Sequence, residues 1–102
     1  MKRIIDGKTY NTETAEFIAE WSNGLGYSDF RNCEESLYKT KKGAFFIAGE
    51  GGAMSRWSRP CGKMTGGGDG IRVLTTDEAL AWCENHEIDT DTIAAHFEIE
   101  EG

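Results

Sequence analysis

No lysine or arginine follows Arg72 in this chain, and the stretch 76–102 holds nine acidic residues with no opposite charge. Proline occurs once, at Pro60. Cysteine occurs three times, at Cys33, Cys61 and Cys83, an odd and small number. That count fits a reducing compartment better than a small disulfide framework. No apolar run approaches the roughly 18 residues that a transmembrane helix needs. The segment Met1–Tyr10 turns polar within a few residues and lacks the apolar core of a signal peptide. The expectation is a cytoplasmic protein, without a membrane span.

Nucleotide-loop patterns are also missing. Gly66-Gly67-Gly68-Asp69-Gly70 and Gly62-Lys63 invite comparison with phosphate cradles. A P-loop, however, needs Ser or Thr after the lysine and a helix beyond it. Here Met64 follows Lys63, and the glycines precede a β-branched run. A dinucleotide fingerprint likewise needs its glycines to open a helix.

What is present suits one domain over residues 1–102, with 38% hydrophobic and 11% aromatic residues to build a modest core. Its net charge of −7 is unevenly spread. Residues 31–63 carry seven positive and three negative charges, so a basic middle precedes the acidic end. Such asymmetry bears on partners and solubility and not on fold.

Asp6-Gly7 between Lys2–Ile5 and Lys8–Tyr10 predicts a type I′ hairpin, whose two turn residues both need positive φ. Asn11 or Thr12 predicts the cap of a helix ending near Trp21 or Ser22, with Ala15, Ile18, Ala19 and Trp21 near helical spacing. Asn23-Gly24 would stop it. Tyr27 and Phe30, in the following loop, are expected to plug the core. Ser36–Thr40 and Ala44–Ala48 predict a second hairpin joined by Lys41-Lys42-Gly43, with glycine at the bulge position. Alternation gives the 36–48 hairpin two faces, one carrying Leu37 and Phe46 or their neighbours and the other Tyr38 and Phe45. A long glycine-rich loop is expected over 49–70, then a strand over Ile71–Leu74. Thr75-Thr76-Asp77-Glu78 is a capping box for a helix running to about His86. Ala79, Trp82, Cys83 and His86 share one face of it. Asp89 or Thr90 would cap a last helix joining Ile93 and Phe97, and 98–102 would be a frayed acidic tail. The fold class is therefore α+β, with a mostly antiparallel sheet in the order β-β-α-β-β-β-α-α.

Four kinds of chemistry compete for the conspicuous residues. Cys83 and His86, three apart on a helix, could present two zinc ligands, with Cys33, Cys61 and His96 as further donors. Cys83 behaving as a small hydrophobe and His86 as a helix-end residue account for them better, so no metal or other cofactor is assigned. Cys61, flanked by Arg59 and Lys63, has the setting of an activated thiol. No local catalytic signature accompanies it, so the chain reads as non-enzymatic. Arg56-Trp57-Ser58-Arg59, with Lys63, joins cations to an aromatic ring in a loop. This pattern can neutralise phosphate while stacking on a base. The acidic balance of the chain weighs against it. The fourth is the acidic end, where Glu84, Glu87, Asp89, Asp91, Glu98, Glu100 and Glu101 form a field that can dock on a basic surface and speed encounter.

Asp29-Phe30, Cys33-Glu34-Glu35-Ser36-Leu37-Tyr38, Thr40-Lys41-Lys42-Gly43, Phe45-Phe46, Gly49-Glu50-Gly51-Gly52-Ala53-Met54 and Glu78-Ala79 with Trp82 resemble a group of small uncharacterised proteins of bacterial mobile elements and prophages. The likeness runs from the N-terminal IIDGKTYNTETA to Trp82. It carries no catalytic residues over. Its genetic setting implies an accessory or anti-defence role, as in small acidic anti-CRISPR proteins. The expectation is thus an acidic inhibitor or accessory factor that docks on a nucleic-acid-handling protein complex, such as a CRISPR–Cas defence complex. The loop 49–70 would be its second contact. The alternative is a nucleic-acid-binding accessory domain using the basic aromatic loop 56–63.

Overall fold

The computed structural model describes residues 1–26, 29–61 and 64–99, with 59–61, 64 and 65 described by their backbone alone. Strands β1 (Lys2–Ile5) and β2 (Lys8–Asn11) pair antiparallel. Asp6 and Gly7 between them have φ of 49° and 76°, the positive pair that a I′ turn requires. The α+β class and the antiparallel pairing agree with the sequence reading.

The helix expected over residues 11–22 is a correction. Asn11 starts only one turn, in which its side chain accepts from the Glu13 amide and its carbonyl from the Ala15 amide. The chain then extends into β3 (Glu16–Ser22). A register shift between Phe17 and Ala19 bulges β3 at Ile18, so Ile18 and Ala19 are both buried. That bulge imitates helical spacing in the sequence. Pairing along β4 (Cys33–Lys39) then decides the conformation of an aromatic-rich segment that suits a strand.

β4 turns through Lys41-Lys42-Gly43 into β5 (Phe45–Gly51). Gly43 has φ of 90°, and the Thr40 amide donates to the Ala44 carbonyl at 2.8 Å. The face assignment needs correcting, because Leu37 pairs with Ile47 and Tyr38 with Phe46. Leu37, Phe45 and Ile47 therefore share one face, and Tyr38 and Phe46 the other. Both faces are covered.

The region 49–70 is not one long loop. Gly49–Gly51 belong to β5, and a short hairpin follows in β6 (Arg59–Cys61) and β7 (Met64–Gly66). β8 (Gly68–Leu74) then pairs with β5 along its whole length. Only 52–58 is irregular between β5 and β6. The main sheet has the order β3-β4-β5-β8.

Two helices close the chain, α1 (Thr76–Asn85) and α2 (Thr90–His96). Thr75 and Glu78 form the expected capping box, and Asp89 caps α2. Ala79, Trp82, Cys83 and Phe97 cover Ile18, Ala19, Leu37, Phe45 and Ile47, with Ile93 against them. Phe97 stacks on Phe45 at 4.9 Å between centroids. On the opposite face Phe46 lies under Tyr10 of the β1–β2 hairpin, edge to face at 5.6 Å, and beside Tyr38. Phe30 is no core plug: it is 67% exposed. Tyr27 lies outside the described residues. No helix among the described residues is long and apolar enough to cross a membrane.

Candidate functional site

Cys33, Glu35 and Leu37 alternate along β4, so all three point to the helix-covered face. Leu37 is core, and Glu35 beside it is 2% exposed. A carboxylate taken from water at that depth costs several kcal/mol unless its oxygens are bonded. Here both are. Trp57 Nε1 donates to Oε2 at 2.8 Å, and Trp82 Nε1 donates to Oε1 at 2.9 Å. The Arg56 guanidinium stands 3.4 Å from Oε2, and the Cys33 thiol donates weakly at 4.0 Å.

Three segments are brought together this way. In β5, Gly49 is the cross-strand partner of Glu35, and a Cβ there would overlap the Trp57 indole. The missing side chain makes the slot in which Trp57 lies. Tight turns in 52–58 aim the ring back at the sheet: the Ser55 hydroxyl donates to the Gly52 carbonyl at 2.8 Å and accepts from the Trp57 amide at 3.2 Å. From above, α1 contributes Trp82 and, one turn on, His86. The His86 ring stacks on Trp21 at 4.1 Å and meets the edge of Trp82 at 4.9 Å, with Nε2 4.0 Å from Glu35 Oε1.

Burial, opposed by Glu35 and aided by Arg56, holds the His86 pKa below its ordinary value. Burial first, then Glu35, pushes the Cys33 thiol up, and burial pushes Cys83 up to about 11. Both are therefore protonated, poorly nucleophilic thiols at neutral pH. Among the described residues no group of three or more His, Cys, Asp or Glu is placed to hold a metal ion. The arrangement ties sheet, loop and helix together through one carboxylate.

Of the loop residues singled out in sequence, Arg56 and Trp57 are brought together on Glu35 and are turned toward their own protein. The Arg59 and Cys61 side chains and all of Lys63 lie outside the description. The acidic residues are placed differently. Glu84, Glu87, Asp91 and Glu98 are exposed along the outer side of α1, the turn after it and α2. Asp89 is exposed but occupied as the α2 cap, accepting from the Thr92 amide at 3.0 Å and its hydroxyl at 2.6 Å. Glu100 and Glu101 lie outside the described residues. Glu87 takes φ of 55°, the left-handed position of a Schellman ending in which the Ile88 amide donates to Cys83 and the Glu87 amide to Glu84. Glycine is the usual residue at that place.

Sequence reasoning missed Glu35. Its signal was its period-2 spacing from Cys33 and Leu37, which marks an inward carboxylate once Leu37 is taken as core. No known family, curated protein or solved structure matches the chain.

Proposed function

We propose that this chain is a non-enzymatic interaction domain that docks its acidic helical side on a basic surface of a nucleic-acid-handling protein complex. One observation carries the reading. Glu84, Glu87, Asp91 and Glu98 lie exposed on the outer side of the helical end, and none has a lysine or arginine within ion-pair distance among the described residues. The inner sides of the same helices are spent on the core, so these acids are not needed to hold the cap in place. Glu87 adds support, since a non-glycine residue in the left-handed region is worth about 1 kcal/mol of strain. Resemblance to proteins of mobile elements makes bacterial defence complexes, CRISPR–Cas among them, the partner class to test first. Trp57, bonded to Glu35, is not offered to a base, which weighs against the nucleic-acid alternative.

The test is a pull-down from nuclease-treated bacterial lysate at low and raised salt, with wild type and with Glu84→Gln/Glu87→Gln/Asp91→Asn/Glu98→Gln. A basic complex retained by wild type, released by salt and lost to the variant is the expected result. Partners that vanish with nuclease, or that the variant keeps, would overturn the reading.

A further inference from the structure

The face of the sheet away from the helices carries a recess of the opposite charge. It lies between the β1–β2 hairpin and the β4–β5 turn, and its volume is about 540 Å³. Lys8 of β2 and Lys41 and Lys42 of the turn are among its lining residues. No carboxylate is among its described lining residues. Three of the six lysines of a chain with net charge −7 thus meet at one cavity. None of them has an ion-pair partner among the described residues. Asp6 and Glu13 stand nearby in sequence but do not line it.

Two features separate this from ordinary turn lysines. The cations come from two hairpins far apart in sequence, held in register by the Tyr10 ring on Phe46 at 5.6 Å. Thr9 and Thr40 also line the wall. Thr40 Oγ1 already accepts from the Ala44 amide at 3.0 Å, so its own hydrogen is directed elsewhere. Lysines and threonines lining a cavity of small-molecule size are the residue types an oxyanion site needs.

We infer that this recess binds a small soluble phosphorylated ligand through Lys8, Lys41 and Lys42. A small ligand is favoured over a nucleic acid because the three lysines line one cavity of small-molecule size, whereas a long polyanion would run out over a molecule of net charge −7. The site shares no residue with the acidic helices, so it stands or falls separately from the docking reading.

The probe is pyrophosphate, titrated into the full chain by calorimetry, with single-stranded oligodeoxythymidine as the second arm. Saturable one-to-one binding of pyrophosphate is expected. Affinity should fall about tenfold or more in Lys8→Gln/Lys41→Gln/Lys42→Gln, since charge-assisted bonds dominate such sites. Lys39→Gln, whose amine lies over Phe45 on the helix side, should leave it unchanged. Should the triple variant fail to fold, amide shifts of wild type confined to Gly7–Tyr10 and Thr40–Ala44 on titration would sustain the inference. Absence of saturable binding, equal affinity in a folded triple variant, or tighter binding of the oligonucleotide than of pyrophosphate would overturn it.

Discussion

A carboxylate accepts at both oxygens, so it can take two indole N–H groups and a guanidinium at once. An amide of the same size cannot. In Glu35→Gln one amide edge would face an N–H donor with a donor, leaving a buried polar group unpaired at about 1–3 kcal/mol. We therefore expect Glu35→Gln to unfold at lower urea by that amount, with altered tryptophan emission, because Trp57 and Trp82 both bond this group. Unchanged stability and emission would show that the carboxylate is not what ties the three segments. His86, 19% exposed at its side chain, supplies a pH dependence at the same place. Its folded pKa is lowered from 6.5, chiefly by burial. Below that ordinary value the unfolded chain takes up the proton first, so stability falls as pH drops, and levels off once the folded pKa is passed. Urea midpoints measured from pH 7.5 down to 5 should show this decline, and His86→Gln should flatten it. A slope that survives the substitution would assign the effect elsewhere.

At the scale of elements, the loop 52–58 is held by a vacancy in a strand. Gly49→Ala would push a methyl group into the Trp57 ring, and overpacking of this kind costs about 1–3 kcal/mol. In a Trp57→Ala background the ring is gone, and the same change should cost much less. A double-mutant cycle on unfolding free energies reads that difference as coupling. Additive effects would mean that Gly49 is required for its backbone and not for Trp57. Elements also show what was legible beforehand. Three turns and caps were, since Asp6-Gly7, Gly43 and the Thr75–Glu78 box each answer a local demand of backbone geometry or unpaired amides. Segment 16–22 was not, because a single bulged residue places Ile18 and Ala19 on the same side and mimics helical periodicity. Nor was the pairing of Gly68–Gly70 with Gly49–Gly51, where Gly49 and Gly51, which read as loop, are required by close approach of the Trp57 ring and of the Asn32 carbonyl and Ser55. The Glu35 cluster joins positions 22 and 47 residues apart, a separation that no local pattern encodes.

Over the whole molecule, the sheet stands between two groups of like charge: exposed acids on the helical side and a lysine-lined recess on the other face. The exposed acids at 84, 87, 91 and 98 have no cationic partner among the described residues, and they repel one another as well as the other acids of a chain with net charge −7. If they are kept for a partner and not for the fold, neutralising them should be harmless or favourable to folding. The four-fold variant Glu84→Gln/Glu87→Gln/Asp91→Asn/Glu98→Gln has a net charge of −3 and keeps every core contact of α1 and α2. Its Tm should equal or exceed that of wild type at low salt, with the gap closing as salt screens the repulsion over a Debye length of about 10 Å at 0.1 M. Partner retention should fall in the same variant. Stability kept while binding is lost assigns the acids to recognition. A Tm that drops with binding would mean that these side chains hold the helical cap, and the docking surface would have to be sought elsewhere on the molecule.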